Sequence, residues 1–238
     1  MGRPVISIDG VSKTYGKARA VEDVGFVAEP GAVTGLIGPN GSGKSTTLRM
    51  LLGITRPDSG TATVNGSRYQ DLTFPLRTVG ALLDNAAPLP ERRALDHLNW
   101  IARSNGIPKS RAREVLEAVG LLRSAKDRVK SYSLGMRQRL GIAAALLGDP
   151  EVIVLDEPMN GLDPEGIRWI RGLMRERADA GGTVLVSSHF MKELESVADH
   201  AVLLAGGRVR AAGALGEIVS GYPSLEEAYF DLTREGAR

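Results

Sequence analysis

Residues Gly38 to Thr46 read GPNGSGKST, and the fold follows from how that stretch is flanked. The apolar run before it, AVTGLIG, has the length and composition of a buried strand. The residues after it, KSTTLRMLLGI, carry apolar positions at helical spacing. Strand, loop and helix in that order are the context that the pattern G-x-x-x-x-G-K-[ST] requires. A glycine-rich turn lets backbone N–H groups converge on an anion, and the helix N-terminus adds a positive field. Gly38, Pro39, Asn40, Gly41, Ser42, Gly43, Lys44, Ser45 and Thr46 are therefore the expected phosphate cradle. Lys44 is a mobile cation for the β- and γ-phosphates of a nucleotide, and Ser45 offers a hydroxyl to Mg²⁺.

A second stretch supplies acids. In VIVLDEP, Val152 to Leu155 form an apolar strand that ends in Asp156 and Glu157. The carboxyl ends of such strands are where ligands bind in open α/β sheets. Asp156 suits Mg²⁺, and Glu157, one residue on, suits orientation or deprotonation of an attacking water. His189 follows another apolar strand, TVLVSS, and its imidazole suits a hydrogen bond to the terminal phosphate. Lys44, Glu157 and His189 are the expected catalytic set. His97 and His200 have no such context and read as structural. Tyr15, in KTYGKARAV, is either an ordinary strand-edge tyrosine or a ring that stacks on the nucleotide base.

Outward from these motifs, strands alternate with helices, which implies a mostly parallel sheet covered on both faces. Strand patterns occur in VISIDGV, ARAVEDVGFVA, GTATVNG and TVGALLD. From about Ala94 to Leu147 the pattern is helical, as if a helical lobe were inserted. The expected organisation is a single domain over 1–238, with a nucleotide-binding core lobe at 1–84 and 150–238 and a helical subdomain at 85–149. The chain has 238 residues, 42% of them hydrophobic and 24% charged, a composition that suits a soluble globular core. Cysteine is absent, which excludes disulfides and thiolate chemistry. No histidine lies in a zinc-ligand spacing. A net charge of +2 with scattered arginines gives no footprint for nucleic acid, and none is expected as a partner. The N-terminal MGRPVISIDG lacks the apolar core of a secretion signal, and Ile6 stands where myristoylation needs Ser or Thr. No run of about 18 apolar residues is present to span a membrane.

The ordered set Tyr15, GPNGSGKST, helical lobe, SLGMRQR, VIVLDEP, NGLD and SSH resembles the ATP-binding subunit of ABC transporters. The resemblance covers the chain from Tyr15 to SLEEAYFDL. ALLDNAAPLP, SLGMRQRLGIAAALL and EPMNGLDPEGI are most similar to the branch that exports bacitracin, lantibiotics or similar compounds. The resemblance implies a P-loop NTPase, RecA-like α/β core with a mostly parallel sheet, an antiparallel β portion and an inserted helical subdomain. It also implies a head-to-tail pair, with ATP between the phosphate loop of one subunit and the signature loop of the other. Ser133, Leu134, Gly135 and Met136 then form the trans-site signature, and Asp163, in NGLD, lies at the dimer seam. Ser133 suits a helix N-cap, and Gly135 permits close approach of a phosphate. Leu134 and Met136 stand where the family pattern has a glycine and a glutamine. Asp84 stands where the family has a glutamine, and could touch Mg²⁺ or its water.

The expected function is an ATPase motor, with ATP and Mg²⁺ as cofactors, that powers export of an antibiotic, peptide or similar compound. Its expected partners are a second copy or a paralogous ATPase subunit, and an integral membrane permease. Its expected place is the cytoplasmic face of the cell membrane, held peripherally through that permease. One alternative is a soluble cassette ATPase acting on nucleic acid or ribosomes, against which stand a single cassette and the absence of a basic tail. Another is a binding module with a dead ATP site, against which stand Lys44, Glu157 and His189.

Overall fold

The computed structural model describes residues 5–83 and 88–234. In chain order it contains β1 (Ile6–Tyr15), β2 (Ala18–Ala28), β3 (Val33–Ile37), α1 (Lys44–Leu51), β4 (Ser59–Val64), α2 (Pro75–Thr78) and β5 (Val79–Leu82). There follow α3 (Ala94–Ser104), α4 (Ser110–Ala118), α5 (Leu134–Leu146), β6 (Val152–Asp156), α6 (Pro164–Asp179) and β7 (Thr183–Ser188). The chain closes with α7 (Met191–Glu195), β8 (His200–Ala205), β9 (Arg208–Ala214), α8 (Leu215–Ile218) and α9 (Leu225–Arg234). The strands and long helices expected from apolar spacing are all present. The helices α2 and α8 have four residues each, too short to show a helical period in sequence.

The chain divides into two compact units, residues 5–72 with 173–234, and residues 73–83 with 88–172. The second unit holds α3, α4 and α5 of the expected helical subdomain, and also β5, β6 and the start of α6.

In the first unit β1 lies between β2 and β4 in an antiparallel sheet. Ile6 and Ile8 alternate into the core, but the next buried residue is Val11, three positions on. A register shift between Ile8 and Val11 absorbs the extra residue, with Gly10 at φ +57°. The parallel strands β7, β3 and β8 lie side by side, and β9 returns antiparallel to β8. All five residues of β3 are buried, because neighbours pair on both edges and both faces are covered. Ile37 pairs with Ser188, so the loops leaving β3 and β7 begin side by side. Behind them, α9 is fixed by Tyr229, whose hydroxyl donates to the Leu204 carbonyl at 3.0 Å.

In the second unit β5 runs parallel to β6, with Val79 opposite Val152 and Leu82 opposite Leu155. The long helices α3, α4 and α5 pack on one another, and Leu98, Leu116 and Leu140 are fully buried on them. Each such leucine contributes roughly 1.5–3 kcal/mol by burial. The helix α5 lies directly on β5 because two glycines let it approach. A Cβ on Gly80 would lie 1.9 Å from the Ala145 carbonyl oxygen, and one on Gly141 would lie 2.5 Å from Leu82 Cδ1. The N-terminus of α5, which carries the signature residues, is thereby set relative to the end of β6.

Gly80→Ala would push α5 away from β5. We expect a loss of about 1–3 kcal/mol or more, the usual cost of overpacking, read as a lower urea midpoint. An unchanged midpoint would contradict the close packing of α5 on β5.

Candidate nucleotide site

The phosphate loop of the first unit is shaped by the absence of side chains. A Cβ on Gly38 would lie 2.4 Å from the Leu204 carbonyl oxygen and 2.6 Å from Ser42 Oγ. Gly43, which precedes the first turn of α1, has φ +105°, and a Cβ there would meet the Ala20 carbonyl oxygen at 2.8 Å. No side chain caps α1 and no acid lies in its first turn, so its N–H groups and positive field face the loop. Lys44 is only 5% exposed, and its Nζ donates to the carbonyls of Gly38 at 2.6 Å and Pro39 at 3.2 Å. The ammonium is therefore held at the mouth of the loop. Ser42 Oγ is buried and accepts or donates no hydrogen bond in the structure. A buried hydroxyl facing a glycine cradle, beside a cation and a bare helix end, fits the phosphates of a nucleotide.

Two further residues belong to this unit. His189 is the first residue after β7, beside Gly38, the first after β3. It is half-buried, with its ring centroid 4.1 Å from that of Phe190. Tyr15 closes the β1–β2 hairpin opposite Ala18, with an exposed ring and Lys13 Nζ 5.8 Å from its centroid. The same hairpin contributes Ala20, whose carbonyl lies against Gly43.

The second unit holds the acids and the signature residues. Asp156 ends β6 at 1% exposure, and Glu157 is 6% exposed. Glu157 has φ +51°, a left-handed conformation uncommon outside glycine. Ser133 caps α5: its Oγ accepts from the Met136 N–H at 3.2 Å. Leu134 is exposed and leans over Gly161, where a Cβ would lie 2.3 Å from Leu134 Cδ2. Gly135 faces the Gly161 carbonyl, 3.1 Å from where its Cβ would be. Asp163 caps α6, its Oδ1 accepting from the Gly166 N–H at 2.8 Å. Leu134 and Gly135 are thus packed against the turn that leads from Glu157 to Asp163, and Ser133 and Met136 flank them in the first turn of α5.

Asp84 lies outside the described residues. No cluster of three or more His, Cys, Asp or Glu side chains is poised to hold a metal among the described residues. Mg²⁺ needs none, since it is normally held by one or two carboxylates together with substrate phosphates, and Asp156 is a carboxylate of that kind. Burial, and secondarily Arg92, hold the His97 imidazole below its ordinary range, which favours the neutral ring. Contacts not legible in sequence are Gln138 Nε2 to the Glu157 carbonyl at 3.1 Å and the Arg139 guanidinium 4.7 Å from the Trp169 ring centroid.

A phosphate loop at a strand-to-helix turn, in a mixed sheet of parallel and antiparallel strands, defines a P-loop nucleotide-binding protein. The comparisons define it further. The ABC transporter family profile matches residues 21–160. An uncharacterised ABC transporter ATP-binding protein of Bacillus subtilis, YdbJ, is 37% identical over 89% of this chain and 70% of its own. The bacitracin transport ATP-binding protein BcrA of Bacillus licheniformis is 38% identical over 86% of this chain and 68% of its own. The lantibiotic transport ATP-binding protein SrtF of Streptococcus pyogenes is 34% identical over 94% of this chain and 96% of its own. The solved ATP-binding subunit of an ABC transporter superposes with a TM-score of 0.86 at 31% identity, covering 96% of this chain and 99% of that one. A bacterial ABC transporter cassette solved as a dimer gives 0.81 at 25% identity, over 88% and 98%. The chain belongs to the ABC transporter family and is its ATP-binding subunit, an ATPase that binds ATP and drives transport. Among the described residues no helix is long and apolar enough to cross a membrane.

Gly161→Ala would collide with Leu134 and strain a backbone at φ +73°. We expect a cost of about 1–3 kcal/mol, part of it recovered by adding Leu134→Ala, measured as a double-mutant cycle by denaturation. Strict additivity would mean that Leu134 does not rest on Gly161.

Proposed function

We propose that this chain is the ATP-hydrolysing motor of an exporter for a bacitracin- or lantibiotic-like compound, acting as one of a pair of cassettes on a membrane permease. The observation that carries the reading is the presence of two helix N-termini suited to phosphate on one chain. One is α1 with Lys44, and the other is α5 with Ser133. A single nucleotide held by the first leaves the second for the nucleotide of another subunit. Similarity to a cassette solved as a dimer supports the pair. Similarity to bacitracin and lantibiotic transport ATP-binding proteins supports the cargo class.

In this reading the loop amides of Gly38 to Thr46 and Lys44 bind the β- and γ-phosphates, and Tyr15 stacks on the base. Ser133 and Gly135 of the second copy, or of a paralogous subunit, close on the γ-phosphate, with Asp163 along the seam. Glu157 takes a proton from water as its oxygen attacks the γ-phosphorus and the bond to the β–γ bridging oxygen breaks. His189 hydrogen-bonds the γ-phosphate and orients that water. Mg²⁺ on Ser45 and Asp156, with Asp84 as a further ligand or water partner, would offset charge on the phosphate oxygens. Separation of the pair after hydrolysis would move the helical segment at 85–149, and through it the permease at the cytoplasmic membrane face.

Glu157→Gln should lower kcat by about 10²-fold or more and accumulate an ATP-bound dimer on a sizing column. Unchanged turnover would remove Glu157 from the role of base. Affinity purification of the chain from its own cells should bring down a polytopic membrane protein. Recovery of ribosomes or RNA in its place would contradict the transporter reading.

A further inference from the structure

We propose that Gln138 is a positioning residue for hydrolysis, holding the main chain of Glu157 from the same helix whose first turn carries the trans phosphate clamp. The inference rests on the reading of Glu157 as the base. Gln138 Nε2 donates to the Glu157 carbonyl at 3.1 Å. The facing atom must be the amide NH₂, since a carbonyl oxygen only accepts. The same carbonyl accepts from the Asn160 N–H at 3.2 Å, which closes the turn from Glu157 to Asn160. One oxygen thus takes one donor from its own turn and one from α5.

The backbone at Glu157 makes that second donor consequential. At φ +51° the residue is held in the left-handed region, where a side chain with a Cβ is strained. Such a conformation persists only when its surroundings over-determine it. Relaxation toward φ < 0 would rotate the adjoining peptide and swing the Cα–Cβ bond, moving the carboxylate away from the end of β6. Gln138 opposes that rotation by gripping the peptide itself.

The grip also has a direction. Gln138 and the cap Ser133 lie on one rigid helix, α5, five residues apart in sequence. In a head-to-tail pair, the clamp of a chain serves the nucleotide on its partner's loop, while its Glu157 serves its own. The Gln138 hydrogen bond therefore joins two different composite sites. When α5 seats on the partner's nucleotide, Gln138 sets the base of its own chain.

The test is a cycle between Gln138→Met, which keeps length and removes the donor, and Glu157→Gln. Gln138→Met alone should lower kcat roughly five- to tenfold, the scale of one lost hydrogen bond, with KM for ATP within about twofold. In single-turnover reactions with excess protein, adding Gln138→Met to Glu157→Gln should cause no further slowing. A residue acting through general stability or nucleotide affinity would slow both backgrounds alike, and that result overturns the proposal. Gln138→Lys restores a donor on an unbranched chain and should recover most of the rate. Lys as slow as Met would also overturn the proposal. Should the Met variant fail to fold, Gln138→Glu, near-isosteric and without a donor at neutral pH, takes its place. Loss of Glu157 itself as base would appear separately, as normal turnover in Glu157→Gln alone.

Discussion

The carbonyl of Leu204 is the contact on which the nucleotide end of the first unit depends. It accepts the Tyr229 hydroxyl from α9 and occupies the space where a side chain at position 38 would begin. Gly38 can pass beneath it only because it has no Cβ. That passage lets the loop fold back so that Lys44 reaches the Gly38 and Pro39 carbonyls. The C-terminal helix therefore takes part in shaping a phosphate site more than 150 residues away in sequence, through one hydrogen bond and one excluded methyl group.

The second unit uses the same device for another purpose. Gly80 and Gly141 bring α5 onto β5, and that depth of seating decides where Ser133 and Gln138 lie. The helix then has work at both ends of its first two turns. Ser133 satisfies an orphan N–H at the helix start, and Gln138 satisfies the Glu157 carbonyl. Leu134, bulky where the family pattern has glycine, finds its room over Gly161, which has none of its own to fill. The two positions compensate each other across the turn that leads to Asp163.

Much of this was legible in sequence because the signals are periodic or local. The buried run VTGLI reads as a strand with neighbours on both edges, and the order strand, GPNGSGKST, helix places the loop without reference to any other part of the chain. The Ser133 cap is local too, as a serine three residues before the amide it serves. What stayed hidden were contacts set by tertiary approach. Gln138 is one polar residue among several in LGMRQRLG, and nothing in its spacing singles it out. The same holds for Leu134 on Gly161 and for Tyr229 on Leu204, which depend on how distant segments meet. The left-handed backbone of Glu157 is similarly silent, since glutamate carries no propensity for it. Compact packing groups β5 and β6 with the long helices in one unit. Sequence periodicity marks where helices start, whereas packing joins β5 and β6 to them.

The central claim is that the active site is shared between two subunits, and mixed subunits test it most directly. Lys44→Ala and Ser133→Arg proteins, each inactive alone, would be combined and ATP turnover measured. The account predicts recovery, because one of the two composite sites in the heterodimer has both an intact loop and an intact clamp. No recovery of turnover or of nucleotide binding, in a mixture shown to form heterodimers, would contradict it.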